Sequence, residues 1–115
     1  MTYLEFATLL KGIEISEGVN IPVAYFQFEK DTAKEPPFIC YYYAGSNDVM
    51  ADNKNYQRIR PVVVELYTDN KDFALEKKVE DTFIANEIPF SKTEAYISGE
   101  KMYQITYYME VVING

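Results

Sequence analysis

Between Arg58 and Thr68 the chain reads RIRPVVVELYT, and this run limits the fold more than any other stretch. Its apolar and β-branched residues describe a long strand. Arg60, Val62, Val64 and Leu66 would share one face, with Ile59, Pro61, Val63, Glu65 and Tyr67 on the other. Such a strand cannot stand alone; it needs sheet neighbours and a layer packed on its apolar side. Pro61 lacks an amide hydrogen, so the start of the strand is expected at an edge or a bulge.

Neighbours are available on both sides in sequence. NIPVAYFQFEK (20–30) and PPFICYYYAG (36–45) read as two strands, a hairpin with a loose charged loop, DTAKEPP. In the second, Phe38, Cys40 and Tyr42 alternate with Ile39, Tyr41 and Tyr43, so both faces are apolar. That places the strand centrally or covers it on both sides. FSKTEAYI (90–97) leads through Ser98–Lys101 into MYQITYYMEVVI (102–113). There Tyr103, Ile105, Tyr107, Met109 and Val111 face away from Gln104, Thr106, Tyr108 and Glu110, the pattern of an antiparallel strand with one wetter side.

The covering layer comes from two helices. Thr2 and Glu5 have capping-box spacing, Tyr3, Phe6, Leu10 and Ile13 form an apolar stripe, and Gly12 supplies a stop. The second helix follows Thr68–Asp69–Asn70, whose side chains can cap it, and buries Leu75, Val79 and Phe83 with Phe73 and Ala74 flanking. Lys77 and Asp81 form a surface pair one turn apart, while Glu76, Glu80 and Asp81 read as a solvated face. Asn86 suits a left-handed C-terminal position and Pro89 stops continuation. The order α-β-β-β-α-β-β predicts a single α+β domain, residues 1–115: one mostly antiparallel (mixed) β-sheet with two α-helices packed on it.

Gly45 to Gln57, GSNDVMADNKNYQ, is the least regular stretch, longer than ordinary hairpin loops and rich in turn formers. It is either a contact element or a solvated excursion. On the first reading its interface residues are Asp48, Val49, Met50, Asp52, Asn53 and Tyr56.

Composition removes most chemistry. There is no histidine, so the usual metal sites, nucleophilic triads and general bases have no centre. Asp48 and Asp52 lie four apart, but the loop lacks the oxygen-ligand pattern of a calcium site. No glycine-rich phosphate loop occurs, and no serine sits in an elbow motif. The single Cys40 has no activating base and reads as a small buried hydrophobe. With 11 basic against 18 acidic residues, net −7, and the basic ones scattered, a nucleic-acid face is not expected. We therefore expect no enzyme, no cofactor and no metal. The N-terminus lacks a signal-peptide pattern and no run reaches membrane-spanning length, so the expectation is a soluble intracellular protein. Eleven Tyr and 7 Phe suit a sheet, and also a surface that meets other proteins.

Three segments carry a family resemblance. YQRIRPVVVELYTDNKD is a long strand ending in ELYT and a KD that opens a helix; EKKVED continues that helix; YISGEKMYQITYY forms the last hairpin. Together with the opening helix, this pattern resembles the tail-terminator or head–tail joining proteins of long-tailed bacteriophages and prophages. The resemblance spans most of the chain and rests on packing motifs. It implies a ring, commonly a hexamer, that caps the major tail tube protein and presents a face to the head connector or neck protein. DNA would pass through without sequence-specific binding, and the location would be the virion tail, assembled in the host cytoplasm. A neck or head-closure protein of the same virion is the near alternative. A small acidic inhibitor that mimics DNA charge is the distant one, although Lys71, Lys77, Lys78 and Lys101 interrupt its acidic surface.

Overall fold

Thr2 and Glu5 close the capping box: the Thr2 hydroxyl accepts from the Glu5 amide at 3.0 Å, and the Glu5 carboxylate accepts from the Thr2 amide at 2.9 Å. Helix α1 (Tyr3–Lys11) follows, and the Gly12 amide caps its end by donating to the Thr8 and Leu10 carbonyls. Phe6 and Leu10 are fully buried, whereas Tyr3 stays 43% exposed at the rim. The protein is seen here as a computed structural model that describes residues 1–28, 35–51 and 54–114.

After α1 come a small hairpin, β1 (Glu14–Ser16) and β2 (Val19–Asn20), and then β3 (Val23–Tyr25), β4 (Phe38–Tyr43), β5 (Val49–Ala51), β6 (Lys54–Gln57) and β7 (Ile59–Thr68). Helix α2 (Phe73–Ala85) precedes β8 (Phe90–Ile97) and β9 (Met102–Val112). The five-stranded main sheet has the order β3-β4-β7-β9-β8, antiparallel except between β3 and β4. This is the α+β arrangement expected from the sequence, with the 14–20 hairpin and the β5–β6 pair added to it.

Strand register sorts the side chains into two faces. Ile39, Leu66 and Ile105 align across the sheet, as do Tyr41, Val64 and Tyr107. Both helices pack here: Phe6 meets the Tyr41 and Tyr43 rings, and Phe83 meets Phe90 and Tyr107 at 5.6 Å each. Phe6, Leu10, Leu75, Val79, Phe83, Ile105 and Tyr107 form one continuous core.

Several local expectations change. The strands at 20–30 and 36–45 are not a hairpin, because β3 and β4 run parallel. A positive φ of 71° at Phe26 turns the chain off β3, and residues 26–28 cross the other face of the sheet. The α2 cap is Asp72, accepting from the Leu75 amide at 3.0 Å, and not the Thr68–Asn70 triplet. At the far end Glu87, φ 57°, takes the left-handed position, while Asn86 stays at φ −103° and donates its side-chain amide to the Thr82 carbonyl. Pro61 lies within a central strand, but β4 ends opposite Val62, so the side that its missing amide would address is already free of β4. There the Ala44 amide donates to the Pro61 carbonyl at 2.8 Å.

Candidate interaction surface

Among the described residues no helix packs on the second face of the sheet. It carries Phe38, Cys40 and Tyr42 from β4, Pro61, Val63, Glu65 and Tyr67 from β7, and Gln104, Thr106, Tyr108 and Glu110 from β9. Sequence alone placed β4 centrally or under cover on both sides. It is an interior strand, between β3 and β7; helices cover one side of it, and among the described residues the crossing segment shields the other, Phe28 meeting Phe38 at 5.4 Å and Phe26 meeting Tyr42 at 5.1 Å. Phe38 and Tyr67 stack at 4.8 Å. Cys40, Val63 and Thr106 are buried on this face and Phe38, Tyr42 and Tyr67 half-buried, so its exposed aromatic area is at Phe26, 64% exposed, and Tyr108, 45% exposed.

Its electrostatics are one-signed. Among the described residues no lysine or arginine side chain belongs to this face, which holds Glu65 and Glu110. Burial raises the Glu65 carboxyl above its ordinary range, although it accepts from Gln104 Nε2 at 2.8 Å. Beside it, burial and then the Glu65 charge push the Cys40 thiol from 9.0 up to about 11. A raised pKa means that the folded chain holds this proton more tightly than the unfolded chain. The contribution to stability is therefore full below pH 9 and lost as pH rises through about 11. Cys40 is expected to resist a thiol reagent at pH 8 in the folded protein and react at once in denaturant; a fast native reaction would contradict its burial.

Among its described residues Gly45–Gln57 is partly paired: Val49–Ala51 and Lys54–Gln57 are strands. Beyond Tyr43 and Val62 the β4–β7 pair continues as a ribbon: Asn47 donates to the Ile59 carbonyl at 2.8 Å, and then β5 pairs with β6 through Val49↔Gln57 and Ala51↔Lys54. Turn-forming residues fit a ribbon end as readily as a loop. β9 reaches Val112 opposite Ile59, so the ribbon runs past its neighbour.

Of the six residues expected at an interface, Asp48 sits at the foot of this ribbon and faces inward. Its carboxylate pairs with Arg60 and accepts from the Ile59 amide at 3.1 Å, with a side chain only 9% exposed. Arg60 in turn donates from Nε to the Tyr3 hydroxyl at 3.2 Å, and Asn47 donates to Glu110 at 2.6 Å. Val49, Met50 and Tyr56 are ribbon residues placed by their backbones. Asp52 and Asn53 lie outside the described residues.

The solvated face expected on α2 is instead a charged seam. Glu76 is 3% exposed, held by Lys71 at 2.6 Å and Lys92 at 3.3 Å. Lys92 also meets Glu80 at 2.8 Å, Glu80 accepts from the Tyr107 hydroxyl at 2.8 Å, and Lys71 pairs with Glu94. Burial, and then the bond to Glu80, raise the Tyr107 phenol above its ordinary range. Lys77–Asp81, by contrast, is the exposed surface pair expected. Among the described residues no group of three metal-ligating side chains converges. No protein-family model matches the sequence, and a search of curated proteins finds no match. The chain is thus defined by its class, an α+β protein with helices on one face of a five-stranded sheet.

Proposed function

We propose that this protein is a structural part of a phage tail: a ring-forming terminator that caps the tail tube and joins it to the head connector. The observation that carries the reading is the pairing of an aromatic sheet face that no described helix covers with a ribbon that extends beyond its own sheet. Both would serve as contact surfaces, and they lie on different parts of the subunit. A closed ring requires that geometry, because each copy must offer one patch to a different patch on the next. The role needs no catalytic residue, cofactor or metal. A net charge of −7 suits a channel that DNA crosses without being held.

The acidic-inhibitor reading loses support, because Glu76, Glu80, Asp81 and Glu94 are each paired with a lysine. Their charge is not free to imitate a phosphate row. The test is electron microscopy of particles made without this gene. Overlong or unjoined tails beside normal filled heads are expected, and normal infectious particles would end the proposal. Excision of residues 50–55 from the ribbon should give the same defect in a chain that still unfolds in one cooperative step.

A further inference from the structure

The free edge of the sheet at β8 points to a second contact. In an antiparallel strand the N–H and C=O of one residue point to the same side, and successive residues alternate. The Ala44 amide donates to Pro61, so odd residues of β7 address β4, and even ones address β9; Ile113 donating to the Arg58 carbonyl agrees. Val62↔Met109 and Val64↔Tyr107 are then hydrogen-bonded pairs, leaving even residues of β9 for β8. Those residues meet Ser91, Thr93 and Ala95. The amides and carbonyls of Phe90, Lys92, Glu94 and Tyr96 therefore point away from the sheet, and no described strand lies beyond them.

Edges of this kind are normally guarded by proline, a bulge or outward charges. β8 spans 8 residues with no proline and an unbroken register. Its two charged side chains lie over the helix-bearing face and are held in ion pairs, though both stay partly exposed: Lys92 binds Glu76 and Glu80, and Glu94 binds Lys71. The opposite edge, β3, has only 3 residues and ends at the left-handed Phe26.

We infer that β8 receives the β5–β6 ribbon of a second copy as an added strand. The ribbon has the matching need, since β5 and β6 pair only with each other and their outer edges are bare among the described residues. Its own β8 is separated from β7 by β9, so another copy must supply the edge. A β8–β8 pair would close at two copies about a two-fold axis; ribbon-to-β8 pairing is head-to-tail and continues around a ring. This inference rests on the self-assembling reading above.

Residue-resolved amide exchange on the unmodified protein, dilute and then assembled on tail tubes, tests it. On assembly, exchange at Lys92, Glu94 and Tyr96 should slow about tenfold or more, while Ser91, Thr93 and Ala95 remain protected throughout. In parallel, Asn55→Cys and Ala95→Cys chains are oxidised alone and mixed. Disulfide-linked dimers should appear only in the mixture. Assembly without slowing at the outward amides, or cross-linking of Ala95→Cys with itself alone, would overturn the strand pairing and leave the ring reading standing. Absence of any self-association in the presence of tail tubes would overturn both.

Discussion

Phe83→Ala should lower the unfolding free energy by about 4 kcal/mol, the cost of emptying an aromatic site in a closed core. Phe83 is fully buried and lies where α2 meets the sheet, in tilted contact with Phe90 and edge contact with Tyr107. Tyr107 has its hydroxyl fixed on Glu80 and cannot swing into the space without breaking that bond. The void therefore stays open, and most of the lost contact is not recovered. Typical domains are stable by about 5–15 kcal/mol, so this single change would bring the chain close to unfolding. A urea titration should show the midpoint falling with an unchanged slope, and a loss below about 1 kcal/mol would mean that α2 does not pack on the sheet through Phe83.

Glu76→Ala is the second large effect, expected at about 2–3 kcal/mol. Removal of the buried carboxylate leaves Lys71 and Lys92 facing each other beneath α2, with only Glu94 and Glu80 to hold them. Both lysines can turn partly toward water, which places the cost below that of a sealed ion pair. Two controls separate charge from packing. Lys77→Ala removes an exposed pair and should leave the transition almost unmoved. Joint replacement of Lys71 and Glu76 by Met and Leu should recover part of the loss, because one of the two lysines left facing each other is removed while Lys92 keeps Glu80. Equal destabilisation by the single and joint changes would assign the effect to shape instead.

The seam around Glu76 also marks the limit of what could be read from residues in order. Leu75, Val79 and Phe83 repeat at helical spacing, and that alone sets the face of α2 that is buried. Glu76 adjoins this stripe, and a charged residue there turns outward by default. What holds it inward is Lys71, five residues earlier, together with Lys92, on a strand that is remote in sequence and brought near by the register of β8 against β9. The same distinction runs through the sheet. Alternation in β7 and β9 located their core faces, because burial acts on each strand locally. Pairing is a relation between distant segments, so the parallel approach of β3 to β4 left no local signature. Nor did Gly45–Gln57 disclose its ribbon: turn-forming residues mark where pairing ends but not how far it has run. For the interface candidates, the pairing of Asp48 with Arg60 across the ribbon left no mark in the order of residues either.

That partner gives the ribbon a mechanical character. With Asp48 tied to Arg60, Arg60 to Tyr3 on α1, and Asn47 to Glu110 on β9, its foot is bolted to three separate elements of the subunit. A prong so anchored has its bearing set before anything is met, and little freedom at its base remains to be surrendered on docking. Its aim is a property of the folded monomer, so loosening the bolts should slow engagement long before it harms the body that carries them.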